Sequence, residues 1–162
     1  MNLHLKEPWV LILVGPPLSG KSTWIRKNFD EGTFTLISRD QMVLDVYGSD
    51  DYNQAFQEVD QGEVDRRLID SLKLAIEKNE NVIIDMTHLT PKRRKYHLSF
   101  FPKSYYKVAV IFPMLSESEY EVRNAKRTVE ENKTIPMHVI KNMISSYQPT
   151  SKDEGFNRII SI

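Results

Sequence analysis

The stretch PWVLILVGPPLSGKST, residues 8–23, decides the fold. Its first seven residues form an apolar run without polar alternation, the mark of a central strand buried on both faces of a parallel sheet. Behind the run, Gly15, Gly20, Lys21 and Ser22 fit the phosphate-loop pattern G-x-x-x-x-G-K-[ST]. The chemistry explains the residue types. Backbone N–H groups of such a loop cradle a β-phosphate, glycines let the chain turn and approach closely, and the following helix N-terminus adds partial positive charge. A lysine at position 21 reaches the β- and γ-phosphates, and a serine hydroxyl at 22 takes Mg²⁺. Residues 15–23 (Gly15, Pro16, Pro17, Leu18, Ser19, Gly20, Lys21, Ser22 and Thr23) are therefore expected to bind a nucleoside triphosphate. The bland alternative is a glycine-rich turn that caps a helix, with Lys21 merely solvated.

Working outward, apolar runs alternate with helical patterns. A helix is expected from the loop to about Phe29, broken by Gly32. TFTLIS (33–38), NVIID (81–85), YYKVAVIF (105–112) and RIISI (158–162) read as further strands. RDQMVLDVYG (39–48) reads as a short helix ended by Gly48. Phe56, Val59, Val64, Leu68, Leu72 and Ile76, at helical spacing, predict one long helix from Tyr52 to Lys78. Thr90 and Pro91 start another helix, Ser116 caps a helix over 116–130, and a polar break, ENKTIP, precedes a last helix near 137–147. Strands separated by helices imply a doubly wound α/β domain: a parallel sheet of about five strands flanked by helices, with a helical lid.

Bulk properties bound the reading. The 162 residues suit one domain, spanning 1–162, and 40% hydrophobic content can fill its core. Twenty-two basic and 22 acidic side chains give a formal net charge of zero. That balance argues against a protein that coats nucleic acid non-specifically, though a local basic groove remains open. Without cysteine there is no disulfide and no thiolate metal site, which fits a reducing cytoplasm. The N-terminus lacks the basic start and cleavage site of a signal peptide, and no apolar run approaches about 20 residues. A cytoplasmic protein with no membrane partner is expected.

Three clusters fall where strand ends should meet the phosphate loop, since ligands of open α/β sheets sit at the carboxyl ends of the strands. Ser38-Arg39-Asp40 follows the second strand, Asp85-Met86-Thr87-His88 ends the third, and Arg123, Lys126 and Arg127 lie on the helix after the fourth. A carboxylate at Asp40 is well placed to take a proton from an attacking hydroxyl. Arg123 and Arg127, four residues apart, share a helix face and could neutralise transition-state charge. Each has a plainer reading. Asp40 could complement a helix dipole, and Asp85 could cap its strand end or anchor water around Mg²⁺. The arginines could pair with Glu119 or Glu130. His88 at a strand end reads more readily as a structural polar residue, Lys92-Arg93-Arg94-Lys95 as a solvated helix face, and the other histidines show no metal spacing.

The stretches GPPLSGKSTW, ISRDQM, VIIDMTHLTPKRR and VRNAKR, followed by TIPMHVIKNM, appear in that order across residues 9–147. Together they resemble the phosphate-loop kinase domain of polynucleotide 5′-hydroxyl kinases, including the phage end-healing enzymes. The resemblance implies an ATP-dependent (or NTP-dependent) transfer of the γ-phosphate to the 5′-hydroxyl end of DNA or RNA, in end healing and repair. It implies that Lys21 and Ser22 hold the phosphates and Mg²⁺, that Asp40 is the general base, and that Arg127 clamps the transferring phosphoryl group. Arg123 would be a second lid arginine at the nucleotide. Asp85 would reach the metal through water, and Arg39, Asp40, Asp85, Thr87 and His88 would face the acceptor. Without a phosphatase domain, the chain would be a kinase alone, in the host cytoplasm if viral, as a monomer or small homo-oligomer.

The chain also departs from that family. An arginine three residues after the catalytic aspartate grips the acceptor phosphate in the phage type, and this chain has Val43 there. Its strand-end acid is Asp85, one residue earlier than in the phage pattern, and Leu18 replaces a glycine. The tail YQPTSKDEGFNRIISI resembles a broader group of small phosphate-loop kinases and ATPases, in which a proline-containing loop passes the adenine and the last strand closes the sheet. A kinase acting on a sugar, nucleoside or antibiotic hydroxyl is the alternative. A nucleotide-driven switch fits less well, because the third strand ends D-M-T-H rather than in a D-x-x-G element.

Overall fold

The strand before the phosphate loop, β1 (Trp9–Val14), is the axis of the molecule, and its residues Val10 through Val14 are wholly buried. In the computed structural model, which describes residues 3–162, β1 lies between β3 (Val82–Asp85) and β4 (Tyr106–Ile111). Leu11 stands opposite Ile83 on one side and Val108 on the other. β2 (Thr35–Ser38) and β5 (Arg158–Ser161) are the edges, giving the all-parallel order β2-β3-β1-β4-β5. The last strand thus closes the sheet, as the tail of the sequence suggests. Strands buried on both faces need no polar alternation, which is why the runs read as continuous apolar stretches.

Helices cover both faces. Val10, Ile12 and Val14 point to a layer formed by α2 (Arg39–Tyr47), α3 (Tyr52–Glu58), α4 (Gln61–Glu77) and α5 (Pro91–Leu98). Trp9, Leu11 and Leu13 point to the opposite layer, where α1 (Lys21–Asn28) contributes Trp24 and Ile25. Each such fully buried aliphatic side chain contributes about 1.5–3 kcal/mol. The lid is α6 (Glu117–Glu131), started by a reciprocal capping box between Ser116 and Glu119, and α7 (Met137–Ser145). A 3-10 turn, Lys152–Glu154, leads into β5.

Two expectations are corrected. The single helix predicted over Tyr52–Lys78 is two helices, α3 and α4. Val59 is extended, with φ −66° and ψ 146°, and the Asp60 carboxylate accepts hydrogen bonds from the N–H groups of Gly62 and Glu63. The apolar spacing runs through this joint, but Phe56 is 49% exposed rather than in the core. Within the basic run 92–95, Arg94 is not solvated but fully buried. Its guanidinium pairs with Glu154 (2.6 and 2.8 Å) and donates to the carbonyls of His88 (2.8 Å), Gln148 and Pro149 (both 3.1 Å). One buried cation thus ties the end of the third strand to the loop before β5.

Candidate active site

The phosphate loop is shaped by close contacts that its sequence requires. A Cβ on Gly15 would lie 2.8 Å from the Phe112 Cβ and 3.0 Å from the Ser19 hydroxyl, so only glycine fits. The Gly15 N–H donates to the Thr87 carbonyl at 2.9 Å, tying the loop to the end of β3. Leu18 (φ +66°) and Gly20 (φ +96°) both adopt the left-handed conformation. Such residues turn backbone N–H groups into a concave, anion-binding nest. The Lys21 ammonium closes the loop on itself, donating to the carbonyls of Pro16 (2.7 Å) and Gly15 (3.0 Å). Burial pushes the Lys21 pKa down to about 8, against the pull of Asp85 and Asp40. The Ser19 hydroxyl is buried here without a partner among the described residues. An unsatisfied hydroxyl and a desolvated ammonium in a left-handed loop suit a phosphate.

The register of the sheet brings the acids to the same mouth. Ser38 pairs opposite Asp85, so the residues just beyond β2 and β3 meet beside the loop. The Ser22 hydroxyl lies 3.5 Å from the Asp85 carboxylate. Burial raises the Asp85 pKa, with Lys21 opposing the rise. No group of three or more His, Cys, Asp or Glu residues capable of holding a metal occurs among the described residues. The hard-oxygen pair Ser22 and Asp85 still fits Mg²⁺, which keeps several waters and takes its other ligands from phosphate.

Asp40 stands in the first turn of α2, whose cap is Ser38. Its Oδ1 accepts a 3.0 Å hydrogen bond from the Tyr52 hydroxyl. Its Oδ2 is 3.6 Å from the Arg127 guanidinium and 3.8 Å from the Lys133 ammonium. Arg127 also pairs with Glu131, at 3.2 Å, and not with Glu130. Arg123 donates to the Leu18 carbonyl at 2.9 Å, which brings the lid onto the phosphate loop. Lys21, Ser22, Asp40, Asp85, Arg123 and Arg127, scattered in sequence, therefore converge on one cleft.

The other expected residues have partners of their own. Arg39 is engaged by α4, ion-paired to Asp65 and donating to Gln61 at 2.6 Å. Thr87 contributes its carbonyl to Gly15. His88 is a correction: its ring is 2% exposed and turned into the interior, out of reach of any acceptor. A left-handed backbone, φ +47°, turns it there. Its Nδ1–H donates to the Leu13 carbonyl at 2.9 Å, because that oxygen can only accept. Its Nε2 therefore accepts from the His97 Nδ1–H, also at 2.9 Å. Burial holds both imidazoles neutral, with pKa values well below the usual range, and each ring is further disfavoured as a cation by a neighbour, His97 for His88 and Arg93 for His97. Val43 is wholly buried. Sequence reasoning missed Tyr52 and Lys133. The polar break that carries Lys133 was visible as a break, but nothing local marked either residue as a neighbour of Asp40.

A family model described as an AAA domain matches residues 10–150. Among solved structures, the chain is similar to one in the Pnkp1/Rnl/Hen1 RNA repair complex, with a TM-score of 0.67 and 25% identity over 90% of this chain. The match covers 45% of that partner chain, so the present sequence spans less than half of its length. A gluconokinase from Sinorhizobium meliloti 1021 matches with a TM-score of 0.54 and 16% identity, over 97% of this chain and 83% of that one. A chain of the PezAT toxin-antitoxin system of Streptococcus pneumoniae matches with a TM-score of 0.63 and 18% identity, over 96% and 67%. These last two likenesses show the fold alone. No helix among the described residues is long and apolar enough to cross a membrane.

Proposed function

The chain belongs to this AAA domain family of phosphate-loop kinase folds, and from that premise we propose that it transfers the γ-phosphate of ATP to the 5′-hydroxyl end of DNA or RNA. The observation that carries the reading is Asp40: a carboxylate fixed at one oxygen by Tyr52 and flanked at the other by the Arg127 and Lys133 cations, beside the phosphate loop. A base in this setting can accept a proton while the cations around it meet the developing phosphoryl charge.

The steps follow from the side chains. The triphosphate lies in the loop 15–22, where Lys21 exchanges its carbonyl partners Gly15 and Pro16 for phosphate oxygens. Ser22 and, through water, Asp85 would hold Mg²⁺, which supplies charge neutralisation at the β- and γ-phosphates. The acceptor hydroxyl gives its proton to Asp40 as its oxygen bonds to the γ-phosphorus, and the bond from that phosphorus to the ADP oxygen breaks. Arg127 and Arg123, delivered by one face of α6, meet the charge on the transferring group.

A small-molecule acceptor is the second reading. Val43 favours it, because that position, wholly buried, offers no grip for an acceptor phosphate. The two readings part in one assay, label transfer from γ-labelled ATP and Mg²⁺ to a short 5′-hydroxyl oligonucleotide, with the 5′-phosphorylated copy as control. Label on the 5′-hydroxyl strand alone, lost in Asp40→Asn, is expected. No transfer to DNA or RNA, with slow ATP hydrolysis persisting, would move the assignment to a small-molecule hydroxyl.

A further inference from the structure

The acceptor side of this cleft has a cation that the sequence did not announce. The Lys133 Nζ sits 4.5 Å from the centroid of the Tyr52 ring and 3.8 Å from the Asp40 Oδ2. Its side chain is only 17% exposed, so it is not a surface lysine free in solvent. The loop that carries it is held from both sides. Asn53 of α3 donates to the Asn132 carbonyl and accepts from the Thr134 N–H, both at 3.2 Å. Asn124 of the lid helix brackets Ile135, donating to its carbonyl at 2.6 Å and accepting from its N–H at 3.2 Å.

Arg127 divides itself between Asp40 and Glu131, whereas the Lys133 ammonium is ion-paired to Asp40 alone among the described residues. Arg127 and Lys133 share one oxygen of Asp40, at distances longer than a hydrogen bond. A cation over an aromatic face is attracted by the ring quadrupole, more so when partly desolvated. A residue at position 43 cannot serve here, because that side chain lies in the core. An anion entering beside Asp40 would meet Lys133 next to Arg127.

Resting on the reading of the chain as a hydroxyl kinase for nucleic-acid ends, we propose that Lys133, seated on Tyr52, receives the acceptor phosphate nearest the reacting hydroxyl and so selects nucleotide over nucleoside acceptors. Tyr52 is the positioning residue. Its ring seats the ammonium, and its hydroxyl holds the carboxylate that takes the proton.

The test is calorimetric binding of a nucleoside 3′-monophosphate to the full chain saturated with MgADP, which occupies the donor site. The wild type should bind, and Lys133→Ala should bind about tenfold to a hundredfold more weakly, as for loss of a charge-assisted contact. The matching nucleoside without phosphate should show far less change. Lys126→Ala, on the outer face of the lid helix and 71% exposed, controls for net charge and should bind within about twofold of wild type. Equal weakening for nucleotide and nucleoside, wild-type binding by Lys133→Ala, or no binding by the wild type would each overturn the proposal. The activity reading fails separately. Lys133-dependent binding with no label on oligonucleotides removes polynucleotide transfer but leaves this phosphate seat. Transfer at equal efficiency by wild type and Lys133→Ala keeps the activity and removes the seat.

Discussion

The two ends of the cleft are made in different ways. The donor end is backbone: a loop between β1 and α1, anchored in the most buried strand and fixed by contacts that only glycine allows at position 15. The end proposed for the acceptor is side chains: Asp40, Tyr52, Arg127 and Lys133 arrive from two short helices, the lid helix and the loop after it. The donor end is written in one stretch of nine residues, so chemistry and address coincide there. The acceptor end exists only after the chain has folded.

If the two ends are separable, their mutants must be too. Asp40→Asn should lower single-turnover transfer by about 10²–10⁴-fold, the usual worth of a general base. Its affinity for ATP should stay within about threefold of wild type, since the loss lies in the transition state. Lys21→Ala should lower both quantities. Nucleotide titration beside single-turnover kinetics reads the contrast, and an Asp40→Asn variant that no longer binds ATP would erase it.

The buried frame behind both ends gives the next effect. Arg94→Met leaves Glu154 buried and unpaired, a loss of about 3–5 kcal/mol, read as a lower urea midpoint. A midpoint close to wild type would mean that the loop before β5 does not depend on this ion pair.

pH sharpens the donor end alone. With Lys21 held down at about 8 in the free protein, a bound triphosphate raises its pKa. Binding therefore takes up a proton between the free and bound values. Affinity is full below pH 8 and falls as pH rises above it, by up to about tenfold per unit. Titration calorimetry in buffers of different ionisation heat should detect the uptake near pH 8.5 and its absence in Lys21→Met. The smallest effect is at the helix joint. Asp60→Ala removes the cap of α4 and should cost about 0.5–2 kcal/mol in chemical denaturation.

The sequence made the local features legible. The strand, the loop, the caps at Ser116 and Thr90 and the parallel pairing all follow from short-range patterns. It failed where two local signals conflict or where partners are distant. At Val59-Asp60 the apolar spacing says helix while the aspartate side chain caps a new one, and the cap prevails. The resemblance set His88 facing the acceptor, but its left-handed backbone sends the ring inward, as the plainer reading of a strand-end histidine expects. Arg94 carries a surface residue's chemistry, and only its partner Glu154, far along the chain, explains its burial. Tyr52 and Lys133 are separated by half of the chain's length and meet only in the folded molecule.

The Asn53 clip between α3 and the loop after α6 has an evolutionary consequence. It joins two segments that lie outside the sheet, and those segments carry Tyr52 and Lys133. Neither segment is a strand of the sheet, so an ancestral scaffold could acquire a new acceptor by editing the clip and its neighbours. Selection would then act on the rim while the platform drifts slowly beneath it.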